Sequence, residues 1–231
     1  MQQLPVFALT PFTMLDFPEH TAAVIWFAGC NLRCAYCHNP QIVRSKGSID
    51  MREVMAFLRK RRGLLDGVVL SGGEASIYPN LQEVVSEIKK MGYAVKLDTN
   101  GLRPEVVEDL IQRNLLDYIA LDYKAPAHKF KAVTGMDKYH IFSKTLDMLC
   151  KQNKVSFEVR TTVHTDLLDE EDMKQIIDDL DKRGFQGNFY VQNFRTAADA
   201  ATLKRLQNQE TVLNIASLPE PENFTLAFRN F

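Results

Sequence analysis

Six short β-type runs alternate with helix-period segments along this 231-residue chain, and that alternation restricts the fold more than any other feature. The runs are Ala22 to Phe27, Gly67 to Leu70, Tyr93 to Leu97, Tyr118 to Leu121, Val155 to Thr161 and Asn188 to Val191. Between them, Leu81, Val84, Val85 and Ile88 keep the i, i+3, i+4, i+7 spacing of an amphipathic helix. Met173, Ile176, Ile177 and Leu180 repeat it after an Asp169 cap. Pro104 opens another helical segment ahead of Val106, Val107, Leu110 and Ile111. Phe142, Leu146, Leu149 and Cys150 form one more apolar stripe, which reads Cys150 as a core residue rather than a ligand. The whole predicts an α/β fold, a parallel sheet with crossover helices.

No linker rich in Pro, Gly or Ser divides the chain, and no solenoid repeat or low-complexity tract interrupts it. It reads as a single domain over 1–231, with a core at about 15–195 and a tail at about 207–231 packed upon it. The longest apolar stretch, Ala22 to Ala28, is too short to span a bilayer, and the N-terminus lacks a secretion signal, so a cytoplasmic protein is expected. A net charge of −1 offers no bulk attraction to nucleic acid or to a membrane surface. The basic run Arg59 to Arg62 closes a predicted helix before Gly63, where cations complement the helix dipole.

Each predicted strand runs into a polar or glycine cluster. Strand one ends in a cysteine loop, strand two in Ser71-Gly72-Gly73-Glu74, and strand three in Asp98-Thr99-Asn100-Gly101. Strand four ends in Asp122-Tyr123-Lys124, strand five carries Arg160, and strand six ends near Gln192-Asn193. The carboxyl ends of parallel strands are where α/β folds assemble active sites. Gly72 and Gly73 let backbone approach a ligand closely, and Glu74 adds an anionic acceptor suited to an ammonium. Asp98, Asp122 and Lys124 form a structural network, orient a cationic ligand, or hold a small monovalent cation with the Thr99 hydroxyl.

The cysteine loop contains Cys30, Cys34 and Cys37 in a C-x3-C-x2-C arrangement. A cubane iron cluster normally takes four thiolates, so three leave one iron open to a small molecule. The same residues also allow a structural zinc with His38 as fourth ligand, a redox dithiol at Cys34 and Cys37, or three buried small side chains. Four cysteines in a reducing compartment favour metal over disulfides.

The cysteine loop, with the aromatic Tyr36 before its last cysteine, together with Ser71-Gly72-Gly73-Glu74, resembles the radical S-adenosylmethionine (SAM) superfamily over about Leu15 to Arg195. Cys37-His38-Asn39-Pro40, Leu97-Asp98-Thr99-Asn100-Gly101 and Leu121-Asp122-Tyr123-Lys124 resemble the activating enzymes of glycyl radical enzymes. The Leu15-Asp16-Phe17-Pro18 lead-in and the Tyr190-Val191-Gln192-Asn193-Phe194-Arg195 ending are most similar to activators of anaerobic ribonucleoside-triphosphate reductase. The resemblance implies a partial (β/α)6 barrel open at one side, so that a radical can meet a peptide. It implies a [4Fe-4S] cluster on the three cysteines and S-adenosylmethionine on its open iron, cleaved by one electron to a 5′-deoxyadenosyl radical that abstracts hydrogen from a glycine.

By the same resemblance Gly72, Gly73 and Glu74 hold the methionine moiety, and Tyr36 and His38 lie near the adenine or cluster. Asp98, Thr99, Asn100 and Asp122 form the rim that takes a cation or the sulfonium, with Lys124 and Arg160 reaching carboxylate or ribose. Gln192 stands where the pyruvate formate-lyase activator has a histidine. The partners implied are a glycyl radical enzyme and a one-electron donor such as flavodoxin or ferredoxin. No cysteine lies between Cys37 and Cys150, so the second cluster of longer activators is absent. The competing resemblance is to carboxy-deazaguanine synthases, which share the Gly-Cys-Asn-Leu-Arg-Cys lead-in. A zinc-bound docking module is the reading from another class.

Overall fold

The computed structural model describes residues 6–37, 39–195, 206, 209 and 211–231. In chain order its strands and helices are β1 (Val6–Thr13), β2 (Ala22–Phe27), α1 (Pro40–Arg44), α2 (Met51–Lys60), β3 (Gly67–Gly72), α3 (Leu81–Lys90), β4 (Ala94–Thr99) and α4 (Pro104–Gln112). There follow β5 (Tyr118–Asp122), α5 (Ala127–Thr134), α6 (Tyr139–Lys151), β6 (Ser156–Val163), α7 (Glu170–Lys182), β7 (Asn188–Asn193) and β8 (Thr225–Arg229). Among the described residues eight strands form one sheet in the order β1 to β8, with β1 and β8 at its edges. β2 to β8 pair in parallel and β1 runs antiparallel to β2.

The six expected strands are β2 to β7. The sheet gains β1 at one edge, and at the other it gains β8 from a segment expected only to pack as a tail. The predicted helices also form where expected. Asp169 caps α7 in a capping box with Asp172, accepting from the Asp172 N–H at 3.0 Å while returning its own N–H to the Asp172 carboxylate. Arg59 and Lys60 occupy the last turn of α2, as the dipole reading requires. Among the described residues no helix is long and apolar enough to cross a membrane.

Strand alternation divides the core into two layers. Ala23, Ile25 and Phe27 of β2 face the helices with Val68 and Leu70 of β3, in one large apolar cluster. Ala22 and Val24, with Val69, face the barrel interior, where the buried Phe17 ring packs on them. A Cβ on Gly67 would lie 2.8 Å from that ring, so the glycine makes room for it. Phe17 thus closes the amino ends of β2 and β3, and the interior opens toward their carboxyl ends.

Candidate active site

A cavity of about 360 Å³ opens at the carboxyl ends of β2 to β7. From successive strands it collects Cys30, Cys34, Tyr36 and Cys37, then Gly72, Gly73 and Glu74, then Asp98, Thr99 and Asn100. Asp122 and Lys124, Arg160, and Gln192 complete the set expected from the sequence. His38 lies outside the described residues.

The cysteine loop is shaped by its neighbours. Gly29 enters it at φ +83, a left-handed conformation that L side chains rarely adopt. The Cys37 N–H closes a turn on the Cys34 carbonyl at 3.1 Å, while the N–H groups of Arg33 and Ala35 donate to Thr134 and Val133 at the end of α5, both at 2.9 Å. Asn100 reaches over from β4 and donates to the Asn31 side chain at 2.8 Å. All three thiols are free of disulfides. Burial, reinforced by the charge of Glu74, pushes the Cys30 thiol up to about 12, and burial pushes Cys34 up to about 11 against the pull of Lys124. Burial thus favours the neutral thiols at Cys30 and Cys34, and a bound metal would stabilise their thiolates.

Gly72 and Gly73 press the end of β3 against the base of that loop. Gly72 sits at φ +115, and a Cβ there would stand 2.4 Å from the Phe27 backbone; on Gly73 it would stand 1.8 Å from the Gly29 carbonyl oxygen. The Gly73 N–H donates to Phe27 at 2.8 Å and the Glu74 N–H to Gly29 at 3.0 Å, so these donors, expected to face a ligand, are spent inside the protein.

Glu74 is likewise engaged and only 2% exposed. Its Oε1 accepts from the Ser76 N–H at 3.1 Å, the Ser76 hydroxyl at 2.6 Å and the Thr99 hydroxyl at 2.8 Å, and its Oε2 accepts from the Asn100 N–H at 2.7 Å. Burial pushes its carboxyl up, and those donors work against the rise. Glu74 therefore ties the loop after β3 to the end of β4.

Below it lies a layer of paired charges. Asp98 accepts from Lys96 Nζ at 2.7 Å and from the Ser71 hydroxyl at 2.9 Å, with Arg160 Nη1 at 3.6 Å. Asp122 accepts from Arg160 Nε and from Lys124 Nζ, both at 3.0 Å. Burial alone would raise the Asp122 carboxyl, but Arg160 and Lys124 hold it below the usual range. Burial would lower the Lys124 ammonium, but the charges of Asp122, Tyr36 and Cys34 raise it. Each carboxylate oxygen of Asp98 and Asp122 thus faces a donor, and the Thr99 hydroxyl is turned to Glu74. Of the alternatives open for these residues, the structure shows the network: Lys96, Lys124 and Arg160 stand against the carboxylates of Asp98 and Asp122.

Tyr36 packs at 3% exposure with its hydroxyl 3.4 Å from the Lys124 carbonyl. Sequence reasoning missed Lys96, whose Nζ also donates to the Asp16 carbonyl at 2.7 Å, and Trp26, which lines the cavity while donating to Thr10 at 2.9 Å. Lys96 stands two residues before Asp98 on the same strand, and the period of two places them on one face. Cys150 is half-buried beside a separate cavity at the opposite ends of β6 and β7, away from the three clustered thiols.

The Radical SAM superfamily model matches residues 24–183. A protein of Methanocaldococcus jannaschii named as a glycyl-radical enzyme activating enzyme is 36% identical over 180 residues, covering 74% of this chain and 73% of that one. The pyruvate formate-lyase-activating enzyme of Clostridium pasteurianum is 31% identical over 50% of this chain and 51% of its own. The 7-carboxy-7-deazaguanine synthase of Methanopyrus kandleri is also 31% identical, over 48% and 52%. This chain therefore spans about half the length of the latter two. Among solved structures, Streptococcus suis SuiB bound to its precursor peptide SuiA superposes with a TM-score of 0.63 at 14% identity, over 80% of this chain and 41% of that one. The chain belongs to the radical SAM superfamily and is an enzyme of that kind, using a [4Fe-4S] cluster and S-adenosylmethionine.

Proposed function

We propose that this enzyme is an activase that installs a glycyl radical on a partner protein, and that the partner is anaerobic ribonucleoside-triphosphate reductase. The observation that carries the reading is the unclosed sheet: among the described residues β1 and β8 are edges and do not pair with each other, an arrangement through which a peptide loop would reach the cavity. The M. jannaschii relative supports the class of reaction. SuiB, on the same fold, takes a peptide.

Cys30, Cys34 and Cys37 hold the cluster, and the donor set fits it, since three thiols free of disulfides on one short loop line one cavity. When bound, the cluster and S-adenosylmethionine supply one-electron cleavage of a sulfonium to a carbon-centred radical. The chain's share is placement and exclusion of water. Gly72, Gly73 and Glu74 fix the cysteine loop against the wall that receives the methionine moiety. Lys124 meets its carboxylate, and Tyr36 and Gln192 flank the nucleoside. Asp98, Asp122 and Arg160 form a rigid, charge-paired floor. A flavodoxin or ferredoxin delivers the electron.

A second reading, favoured by the M. kandleri relative, is a small-molecule radical enzyme. The test is anaerobic purification with iron analysis, then reduction with S-adenosylmethionine in the presence of the reductase. Formation of 5′-deoxyadenosine together with a glycyl signal in electron paramagnetic resonance supports the activase. Cleavage without a protein radical on the reductase or on pyruvate formate-lyase returns the assignment to the small-molecule class. Absence of iron overturns both.

A further inference from the structure

We infer that Arg229, on the edge strand β8, binds a carboxylate of the incoming partner peptide at the open side of the barrel. The inference deepens the activase reading and rests on it. In the parallel register Arg229 stands opposite Gln192 and Ala227 opposite Tyr190. Registered neighbours share a face of a sheet, and Gln192 lines the cavity, so Arg229 is turned to the same interior. Its guanidinium carbon lies 3.5 Å from the centroid of the Tyr190 ring.

The other cations of this interior are paired. Lys96 meets Asp98, Lys124 meets Asp122, and Arg160 is shared by Asp98, Asp122 and Glu158. Glu158 also accepts from the Tyr118 hydroxyl at 3.1 Å. Among the described residues the Arg229 guanidinium makes no hydrogen bond and no ion pair; it stacks on Tyr190, and its charge also reaches Tyr118, opposing the rise that burial gives that hydroxyl. A guanidinium stacked on a ring keeps its N–H edge free in a fixed plane, which is the geometry that receives a carboxylate through two parallel bonds. An unpaired, partly buried cation beside a network of satisfied charges marks the place where the partner brings the anion.

Position selects a peptide rather than a small molecule as the source of that anion. Among the described residues β8 is an edge of the sheet, so Arg229 stands on that edge strand, about 5 Å of strand spacing from Gln192 at the cavity wall. An extended chain rising about 3.4 Å per residue that presents its glycine to the cavity would place an Asp or Glu within about three residues of that glycine on Arg229. The segment expected to be a packed tail would then be the element that reads the partner.

The test compares the cluster-loaded wild type with Arg229→Gln and Arg229→Lys, with the reductase as partner. KM for the reductase, kcat at saturating reductase, and 5′-deoxyadenosine formation without it are measured at low and high salt. In Arg229→Gln the KM is expected to rise about tenfold and its salt dependence to flatten, with kcat changed less than twofold. Arg229→Lys is expected to keep the salt dependence with a smaller rise in KM. An unchanged KM in Arg229→Gln overturns the inference. So does an equal fall in partner-free cleavage, which would place Arg229 on the nucleoside side or in the fold of β8. A wild type that cleaves S-adenosylmethionine but radicalises no partner overturns the activase reading, and the inference with it.

Discussion

Replacing Gly73 by alanine tests how the two motifs of the site are held together. The added Cβ would lie 1.8 Å from the Gly29 carbonyl oxygen, 2.6 Å from its carbon and 3.3 Å from the Cys30 Cβ. Since real Cβ contacts stay beyond 3.0 Å, the two backbones must separate by at least about 1.2 Å. That breaks the bonds from Gly73 to Phe27 and from Glu74 to Gly29, at about 1 kcal/mol each. It also drags Glu74 from its buried donors, which adds about 1–3 kcal/mol, while the loss of glycine's freedom in the unfolded chain returns about 0.4–1 kcal/mol. The net is about 3 kcal/mol, or roughly 6–12 °C in Tm for a chain of this size. Calorimetry of the apoprotein measures the shift, and iron analysis after anaerobic reconstitution measures the displacement of Cys30, with binding of less than half the wild-type iron expected. Gly92→Ala is the comparison for backbone strain without a close approach, because Gly92 sits at φ +93, a positive value that Gly73 does not share, with nothing within 4 Å of its Cβ. A Gly73→Ala variant that melts with Gly92→Ala and loads full iron would refute the close-approach reasoning.

Three other outcomes follow from the same geometry. Lys96→Met leaves Asp98 with only the Ser71 hydroxyl and the more distant Arg160, so it should cost about 1.5–3 kcal/mol and make S-adenosylmethionine affinity depend on added potassium or sodium. Wild-type affinity should be indifferent to both ions, and a potassium requirement in the wild type would contradict the pairing. Asp122 has a folded pKa held below its ordinary 3.8, so its stabilisation is present above that value and fades as pH falls through the folded one. The stability gap between wild type and Asp122→Asn should be constant from neutral pH down to about pH 5 and close below 3.8, as read from urea midpoints. Cys150→Ala should leave iron content unchanged, whereas alanine at Cys30, Cys34 or Cys37 should abolish stable loading.

Strands β2 and β3 can be read from the sequence because both faces are buried, which writes continuous apolar runs such as Ala22 to Phe27, while β6 and β7 show instead the alternation of a half-buried strand. Their ends were read short. β3 extends to Gly72, β4 to Thr99 and β7 to Asn193, because the last residues of these strands are the polar site residues and polarity marks a boundary too early. β1 and β8 escaped for a different reason. Each is paired on one side only, β1 carries Pro11 and β8 is five residues with an exposed Phe228, so neither displays the pattern of a central strand. α5, whose carbonyls strap the cysteine loop, is eight residues with a weakly apolar face, and its clearest mark was Gly135 in the left-handed conformation at its end.

The site divides along the same line. Which residues reach the rim is a matter of position in the chain, since each follows a legible strand, and all of those described line one cavity. Which residues bond to one another depends on register. Arg160 meets Asp122 because the two are partners across β5 and β6, and Glu74 meets Asn100 because the glycines draw the end of β3 under the cysteine loop. A single sequence carries no register between parallel strands, so it leaves open whether Asp98, Thr99 and Asp122 bind a ligand or one another, and in the structure Glu74, Asp98, Thr99 and Asp122 are bonded to each other's elements. With those groups committed to the protein, the proposed recognition rests on the three thiols and Gln192 at the cavity, and on Arg229 at the edge strand. Specificity for the partner should therefore vary with substitutions on β8 and leave the charge-paired floor intact. The floor's own variants should fail instead in stability and cluster loading.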